Sequence, residues 1–243
     1  MTCAVRQLLK GCAVISGGTL KTLGFRVYTD YIIRNTYSSS TAYFDALLAE
    51  TDIVDAREFP KSMFMHSAYS GELGKLRQSR RIVEFAPYRY INIRRLNECG
   101  VTLDMLEDYC TAVRQFVENN AYFTISSIRQ DGFSHPLDDL GFDDWFYSSV
   151  LLEDRAHFAY SRMGGARLFR KGCDTISFAD MLRWIVEAHQ KMDIYELCTL
   201  LEERYGIEIR KDKLTYMIQN TDLYYDAIME TVYMDYDTYF EEV

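Results

Sequence analysis

The feature that most constrains the fold of this chain is a pattern that recurs at intervals of 70 residues. In each copy an amphipathic helical segment leads directly into an aromatic, β-rich segment, and the copies begin at Glu72, Phe142 and Asp212. Repetition at a fixed period is typical of an array built from one supersecondary unit. The pattern therefore predicts a mainly α protein with small β-hairpins, of the α+β class, in which one module is repeated in tandem.

The last copy has the clearest internal boundaries. An apolar stripe at helical spacing over residues 177–191 predicts its first helix. Asp193, followed three residues later by Glu196, predicts a capping box at the start of a second helix, and Gly206 predicts the end of that helix. A third helix follows, and residues 231–240 then mix β-forming residues with acids, which predicts a strand or hairpin.

The middle copy has the same order with one inserted loop before its third helix. The sequence predicts a first helix from Thr102, a short second helix from Thr124 and a third helix from Phe142. Two glycines, Gly164 and Gly165, predict the turn of the hairpin that follows.

The first copy leaves two interpretations open. Residues 40–59 could form the first and second helices, with Asp52 and Asp55 at the start of the second. Alternatively, residues 41–53 form a third helix, because they resemble the third helix of the last copy, and residues 15–60 are then a further degenerate module. The predicted domains are a degenerate N-terminal region that ends in a basic module (1–100), a second module (101–172) and a third, acidic module (173–243).

The order of three helices and a two-stranded ladder resembles tandem winged helix-turn-helix proteins of bacterial origin. The resemblance covers residues 70–243 and depends on the order of the elements rather than on a family-specific motif, so it transfers no functional residues. It implies a DNA-associated or transcription-regulatory role without catalysis.

Charge is distributed unevenly along the chain. The net charge is −9, yet residues 1–100 contain 14 Lys and Arg against 9 Asp and Glu, whereas the remainder contains 13 against 27. A basic segment attracts phosphate and an acidic segment repels it. We therefore expect any contact with double-stranded DNA in the first module, and a protein partner at the acidic, tyrosine-rich C-terminal modules. With such a partner, the chain would be a protein-interaction scaffold, or an adaptor whose acidic modules mimic DNA.

The candidate nucleic-acid-binding residues lie in the helix and the ladder of the first copy. The side chains of Gln78 and Ser79 can form hydrogen bonds to bases or phosphates. Because of their i, i+3, i+4 spacing, Arg77, Arg80 and Arg81 are predicted to share one helix face. The predicted site consists of Lys75, Arg77, Gln78, Arg80, Arg81 and, in the ladder, Arg89, Arg94 and Arg95. The simpler alternative is a solvated basic face that pairs with acidic modules.

No pattern in the sequence predicts a catalytic residue, a cofactor or a metal site. Phosphate-binding loops, dinucleotide fingerprints and nucleophile elbows do not occur. The acids that follow His135 offer oxygen ligands, but Asp143 is better placed as a helix cap. The segment Asp235–Thr238 lacks the buried parallel strand that a phosphatase nucleophile needs. Trp145 is interpreted as a core residue, since the neighbouring sequence lacks basic residues that would support base stacking.

The N-terminal residues and the cysteines predict a cytoplasmic protein. The uncharged run Gly11–Leu20 contains three glycines, which is unfavourable in a signal peptide, and no stretch has the roughly 18 apolar residues of a membrane helix. The six cysteines include no C-x-x-C pair, so a zinc ribbon is not expected. A regulatory fragment of a larger enzyme is a third interpretation, because the N-terminal third is poorly patterned.

Overall fold

A computed structural model describes residues 17–28, 31–172 and 175–242, so most of the N-terminal run discussed above lies outside the described residues. The chain divides into two compact units. One comprises the described residues up to Glu84 together with Tyr88–Gly100, and the other comprises Phe85–Pro87 together with the described residues from Val101 onward. Both units combine helices with small sheets of two or three strands. The predicted α+β class is confirmed.

Six elements in the order helix, strand, helix, helix, strand, strand occupy residues 40–92, which we call repeat 1. A helix and a two-stranded hairpin precede repeat 1, and another helix follows it. The elements are α1 (Gly17–Thr22), β1 (Phe25–Val27), β2 (Ile32–Arg34), α2 (Ser40–Glu50), β3 (Ile53–Asp55), α3 (Lys61–Phe64), α4 (Ser67–Gln78), β4 (Ile82–Ala86), β5 (Arg89–Asn92) and α5 (Ile93–Glu98).

The same six-element order recurs twice, in repeat 2 (residues 103–171) and repeat 3 (residues 178–233). Repeat 2 contains α6 (Leu103–Phe116), β6 (Tyr122–Phe123), α7 (Ile125–Gln130), α8 (Asp144–Leu151), β7 (Phe158–Met163) and β8 (Ala166–Lys171). Repeat 3 contains α9 (Phe178–His189), β9 (Lys191–Asp193), α10 (Ile194–Tyr205), α11 (Lys211–Ile218), β10 (Tyr224–Asp226) and β11 (Thr231–Tyr233), and a further helix, α12 (Tyr236–Glu242), follows it.

The three repeats also share one sheet topology. In each, the third strand lies between the first and the second, which gives the orders β3-β5-β4, β6-β8-β7 and β9-β11-β10. The first strand of each repeat, only two or three residues long, was not predicted. The sequence 41–53 forms the first helix and leads into the first strand of repeat 1, so its interpretation as a third helix is wrong. Asp55 caps a 3₁₀ turn after β3 rather than beginning a regular helix.

Local hydrogen bonds explain where many of these elements begin. The side chains of Ser39, Thr102 and Ser177 each accept a backbone N–H three residues later, so the first helix of every repeat has an N-cap of the same kind. Asp193 accepts the backbone N–H groups of Tyr195 and Glu196, which confirms the predicted start of α10.

The end of the chain differs from the prediction. Residues 231–240 do not form a strand or hairpin throughout, because β11 ends at Tyr233 and α12 follows. Asp235 accepts hydrogen bonds from the backbone N–H and the hydroxyl of Thr238, both at 2.7 Å, which favours a helical turn there. The ring of Tyr239 contacts the rings of Tyr224 and Tyr233 on the sheet. Tertiary packing thus overrides the β-propensity of this segment.

Repeats 2 and 3 share a hydrophobic core. Tyr122 and Leu168 of repeat 2 belong to the same buried cluster as Leu182, Leu197 and Leu214 of repeat 3. On the surface, Arg204 forms two hydrogen bonds to the carboxylate of Asp131, at 2.9 and 3.0 Å. Repeat 1 has a hydrophobic cluster of its own, which includes Phe44, Leu48, Tyr69, Leu73 and Tyr90.

Candidate nucleic-acid interface

The third helix of repeat 1, α4, has one buried and one exposed face. Tyr69, Leu73 and Leu76 are buried in the cluster of repeat 1. The only acidic residue of the helix, Glu72, is also buried, and its carboxylate accepts a hydrogen bond from Lys75 Nζ at 2.6 Å. The exposed face carries small or polar side chains and one cation, from Ser67, Ser70, Gly71, Lys75 and Gln78. This helix therefore presents hydroxyls, an amide and a positive charge to solvent, and no exposed carboxylate.

The helix begins earlier and ends earlier than the sequence indicated. It begins at Ser67, where His66 Nδ1 accepts the backbone N–H of Ala68, rather than at Glu72. The hydroxyl groups of Ser67 and Ser70 were missed as parts of the exposed face, because serines and glycines in this stretch have low helix propensity. The residue that could have indicated the start of this helix is His66, whose imidazole caps it.

The predicted shared face of Arg77, Arg80 and Arg81 is wrong. Helix α4 ends at Gln78, and Arg80 has a left-handed backbone with φ of 51°. The N–H of Arg80 donates to the carbonyl of Arg77, and the N–H of Arg81 donates to the carbonyl of Leu76. This pair of bonds is a Schellman motif, which terminates the helix. Arg81 is exposed beyond the helix end, whereas Arg77 and Arg80 are half-buried.

The three arginines predicted in the ladder lie on two different elements. Arg89 lies in β5, and its guanidinium is 3.5 Å from the carboxylate of Asp55. Arg94 and Arg95 lie in α5 instead, because Asn92 ends the strand and caps this helix. Their ladder placement is therefore wrong. Both are exposed but form ion pairs, Arg94 with Asp52 at 2.7 Å and Arg95 with Glu98.

Ion pairs within repeat 1 also set its titration behaviour. Hydrogen bonds from Arg57 lower the pKa of Asp55 to about 2. The hydrogen bond with Glu72 raises the pKa of Lys75 above its usual range and so favours the charged form of this ammonium group further. Lys75 nevertheless keeps most of its side chain in solvent. Its ammonium group has three donors, so it can bind a phosphate while it keeps its hydrogen bond to Glu72.

The third helix of repeat 2, α8, is unsuitable for contacts with bases in a groove of DNA. Six consecutive residues from Phe146 to Leu151 are buried, so the helix has no solvent-exposed face over that length. Arginines approach Trp145 from the hairpin that follows: the guanidinium carbons of Arg162 and Arg167 are 4.8 and 4.1 Å from the centroid of the indole ring. The prediction that basic residues are missing around Trp145 is therefore wrong, because residues distant in sequence meet there.

The third helix of repeat 3, α11, is exposed but carries acid and aromatic groups. Asp212 and Tyr216 lie on its exposed face, and Arg210 pairs with Asp212 at 3.2 Å. Lys211 at its start pairs with Glu230 and with the hydroxyl of Tyr195. Most of the cations on this face thus have acidic partners within the repeat.

The acidic loop of repeat 2 is organised by an arginine. Arg129 pairs with Asp138 at 2.7 Å and with Asp144, while Asp143 caps α8 as predicted. His135 Nε2 is 3.2 Å from the carboxylate of Asp108. Across the described residues, no group of three or more His, Cys, Asp or Glu side chains is arranged to hold a metal ion.

No protein-family model, curated protein or solved structure significantly matches this chain. Within residues 17–28, 31–172 and 175–242, none of the helices combines the length and the apolar character required to cross a bilayer.

Proposed function

We propose that the chain is a non-enzymatic, DNA-associated regulatory protein of the tandem winged-helix type, in which repeat 1 binds the phosphate backbone of duplex DNA. In support, each repeat has three helices and a three-stranded sheet, and in a winged helix the second and third strands would form the wing. The third helix would lie along the major groove in such a module, with the wing beside it.

The observation that carries this proposal is the contrast between the three third helices. In α4 the sole carboxylate is buried and Lys75 is exposed, with Arg81 directly beyond the helix end. The helix α8 is buried, and α11 exposes Asp212 and Tyr216. Phosphate binding needs cations that are not outnumbered by nearby carboxylates. Repeat 1 meets this requirement best.

The small side chains on α4 support a close approach of the duplex. Gly71 and Gly74 have open space where a Cβ would lie, and Ser67 and Ser70 can donate hydroxyl groups to phosphate oxygens. Lys75 and Arg81 supply charge, and Gln78 offers an amide for base edges or phosphates. With few bulky or bidentate groups on this face, we expect binding that tolerates many sequences.

The test is a salt titration of the full chain with a labelled random duplex, followed by fluorescence anisotropy. We expect Lys75→Ala/Arg81→Ala to weaken binding at least tenfold at about 0.1 M salt and to make the salt slope shallower by about two, since each phosphate contact contributes roughly 0.9. The matched control is Arg210→Ala/Lys213→Ala, which removes the same charge from α11 and its approach. Equal losses from both double variants, or affinity that does not change with salt, would contradict the proposal.

A second candidate is a protein-interaction scaffold based on repeat 3. Residues 175–242 contain 15 Asp and Glu against 6 Lys and Arg. Seven large apolar residues there are exposed, namely Trp184, Tyr195, Tyr216, Ile228, Met229, Tyr236 and Phe240. An acidic surface with exposed aromatic groups favours a basic protein partner. In the same anisotropy assay, this scaffold would retain no duplex DNA at low salt.

A further inference from the structure

The hairpin turn of repeat 2 shows how one repeat of this chain contacts the next. Gly164 lies in that turn with φ of 51°, and a Cβ built on it would be 2.8 Å from the carbonyl oxygen of Glu208. Glu208 and Ile207 belong to the connection between the second and third helices of repeat 3. Met163 and Ala166, on either side of the turn, pack against the core of repeat 3. The turn of one repeat is thus seated on the helix connection of its successor.

The equivalent turn of repeat 3 has an apolar tip that is exposed to solvent. Ile228 and Met229 are 92% and 62% exposed. Asp226 accepts their backbone N–H groups at 2.7 and 3.1 Å, and Lys211 holds Glu230 at the end of the turn. The tip is therefore preorganised rather than loose, and two large apolar side chains at one rigid turn are typical of a contact surface.

The equivalent helix connection of repeat 1 also carries an exposed apolar side chain. It consists of Met65 and His66, between α3 and α4, and Met65 is 68% exposed. This is the position at which repeat 3 receives the turn of repeat 2. The charges are complementary as well: the first 100 residues carry an excess of positive charge, whereas repeat 3 is strongly acidic.

We propose that the chain associates head to tail with a second copy of itself, the tip of the repeat 3 hairpin (Ile228 and Met229) seating on the α3–α4 connection (Met65) of the next copy. The contact would repeat the geometry that already joins repeat 2 to repeat 3. Such a contact is heterologous, unlike the isologous contact of a symmetric dimer: copies joined by it form an open chain that grows with concentration, or a ring where the rotation closes. The contact does not rest on the proposed DNA contact, although Met65 lies two residues before Ser67 of α4.

The test is sedimentation velocity of the full-length protein over a wide range of concentration. We expect the wild-type mass to rise with concentration beyond that of a dimer at low salt. Ile228→Asp/Met229→Asp removes the apolar hairpin tip, and Met65→Asp removes the apolar surface that receives it. Each variant by itself should therefore self-associate at least about tenfold more weakly than the wild type. A mixture of the two variants still has one intact pair of surfaces, and we expect it to form a dimer and nothing larger.

The control is Tyr216→Asp, which places the same charge at a residue as exposed as Met65 but outside the proposed contact. It should assemble like the wild type. Dimer formation by the mixture also shows that both variants are folded. A wild-type protein that stays monomeric at every concentration, a Met65→Asp variant that still forms dimers alone, or loss of assembly in Tyr216→Asp would overturn the proposal.

Discussion

Arg80 occupies a backbone conformation that its side chain disfavours. It lies at the left-handed position after α4, with φ of 51°, where glycine is the usual residue. We expect Arg80→Gly to be more stable than Arg80→Ala by about 1 kcal/mol, because both variants lose the same side-chain contacts and only glycine relieves the left-handed conformation. Urea titrations measure the free energies of unfolding of the two variants. Amide hydrogen exchange of α4 measures the local effect. Equal stability of the two variants would show that this turn is not strained.

Arg80 also shows why the predicted basic face failed. A spacing of i, i+3 and i+4 indicates a shared face only if the helix continues through all three residues, and no glycine or proline marks the end at Gln78. The helix ends because Ile82 and Val83 of the following strand are buried, which requires the chain to reverse at Arg80. Long-range burial of that kind leaves no local signal. Capping residues such as Asp143 and Asp193 were predictable because their hydrogen bonds are local.

The β10–β11 hairpin depends on one carboxylate. Backbone N–H groups of Met229 and Ile228 donate to Asp226 and lower its pKa. A lowered pKa in the folded state means that the carboxylate stabilises the turn fully above its unfolded pKa of about 4, and that this stabilisation is lost as the pH falls through the folded value. We expect the amide protection factors of residues 228 and 229, measured by NMR hydrogen exchange, to fall in acid.

Two variants distinguish the protonation of Asp226 from other effects of low pH on the protein. Asp226→Asn keeps an acceptor oxygen but cannot titrate, so its protection factors should be lower at neutral pH and should not fall further at the pH where the wild type loses protection. Asp222→Asn, which changes an exposed residue paired with Arg183, should keep the wild-type profile. A wild-type profile in Asp226→Asn would mean that another group controls the turn.

The order of helices in repeats 2 and 3 could be predicted because their apolar residues recur at helical spacing and five of the six helices begin at a side-chain cap. The short first strands could not, since β6 and β9 are two and three residues long and a strand of that length has no period to detect. The surroundings of Trp145 could not be predicted from neighbouring residues either. Arg162 and Arg167 contact its ring from a hairpin 17 or more residues away. For α12, aromatic residues indicated strand, yet Tyr239 packs on the sheet from a helix.

Repeats 2 and 3 should unfold together, because their cores are continuous. Leu168 is fully buried and comes from repeat 2, yet its cluster consists mainly of repeat 3 residues. We expect Leu168→Ala to destabilise the protein by about 2–5 kcal/mol, and hydrogen exchange measured by mass spectrometry should show loss of protection in α9 and α10 as well as in β7 and β8. Leu168→Met, which nearly conserves volume, should cost less than about 1.5 kcal/mol. Loss of protection confined to repeat 2 would instead mean that the two repeats fold as separate cooperative units, despite the buried side chains they share.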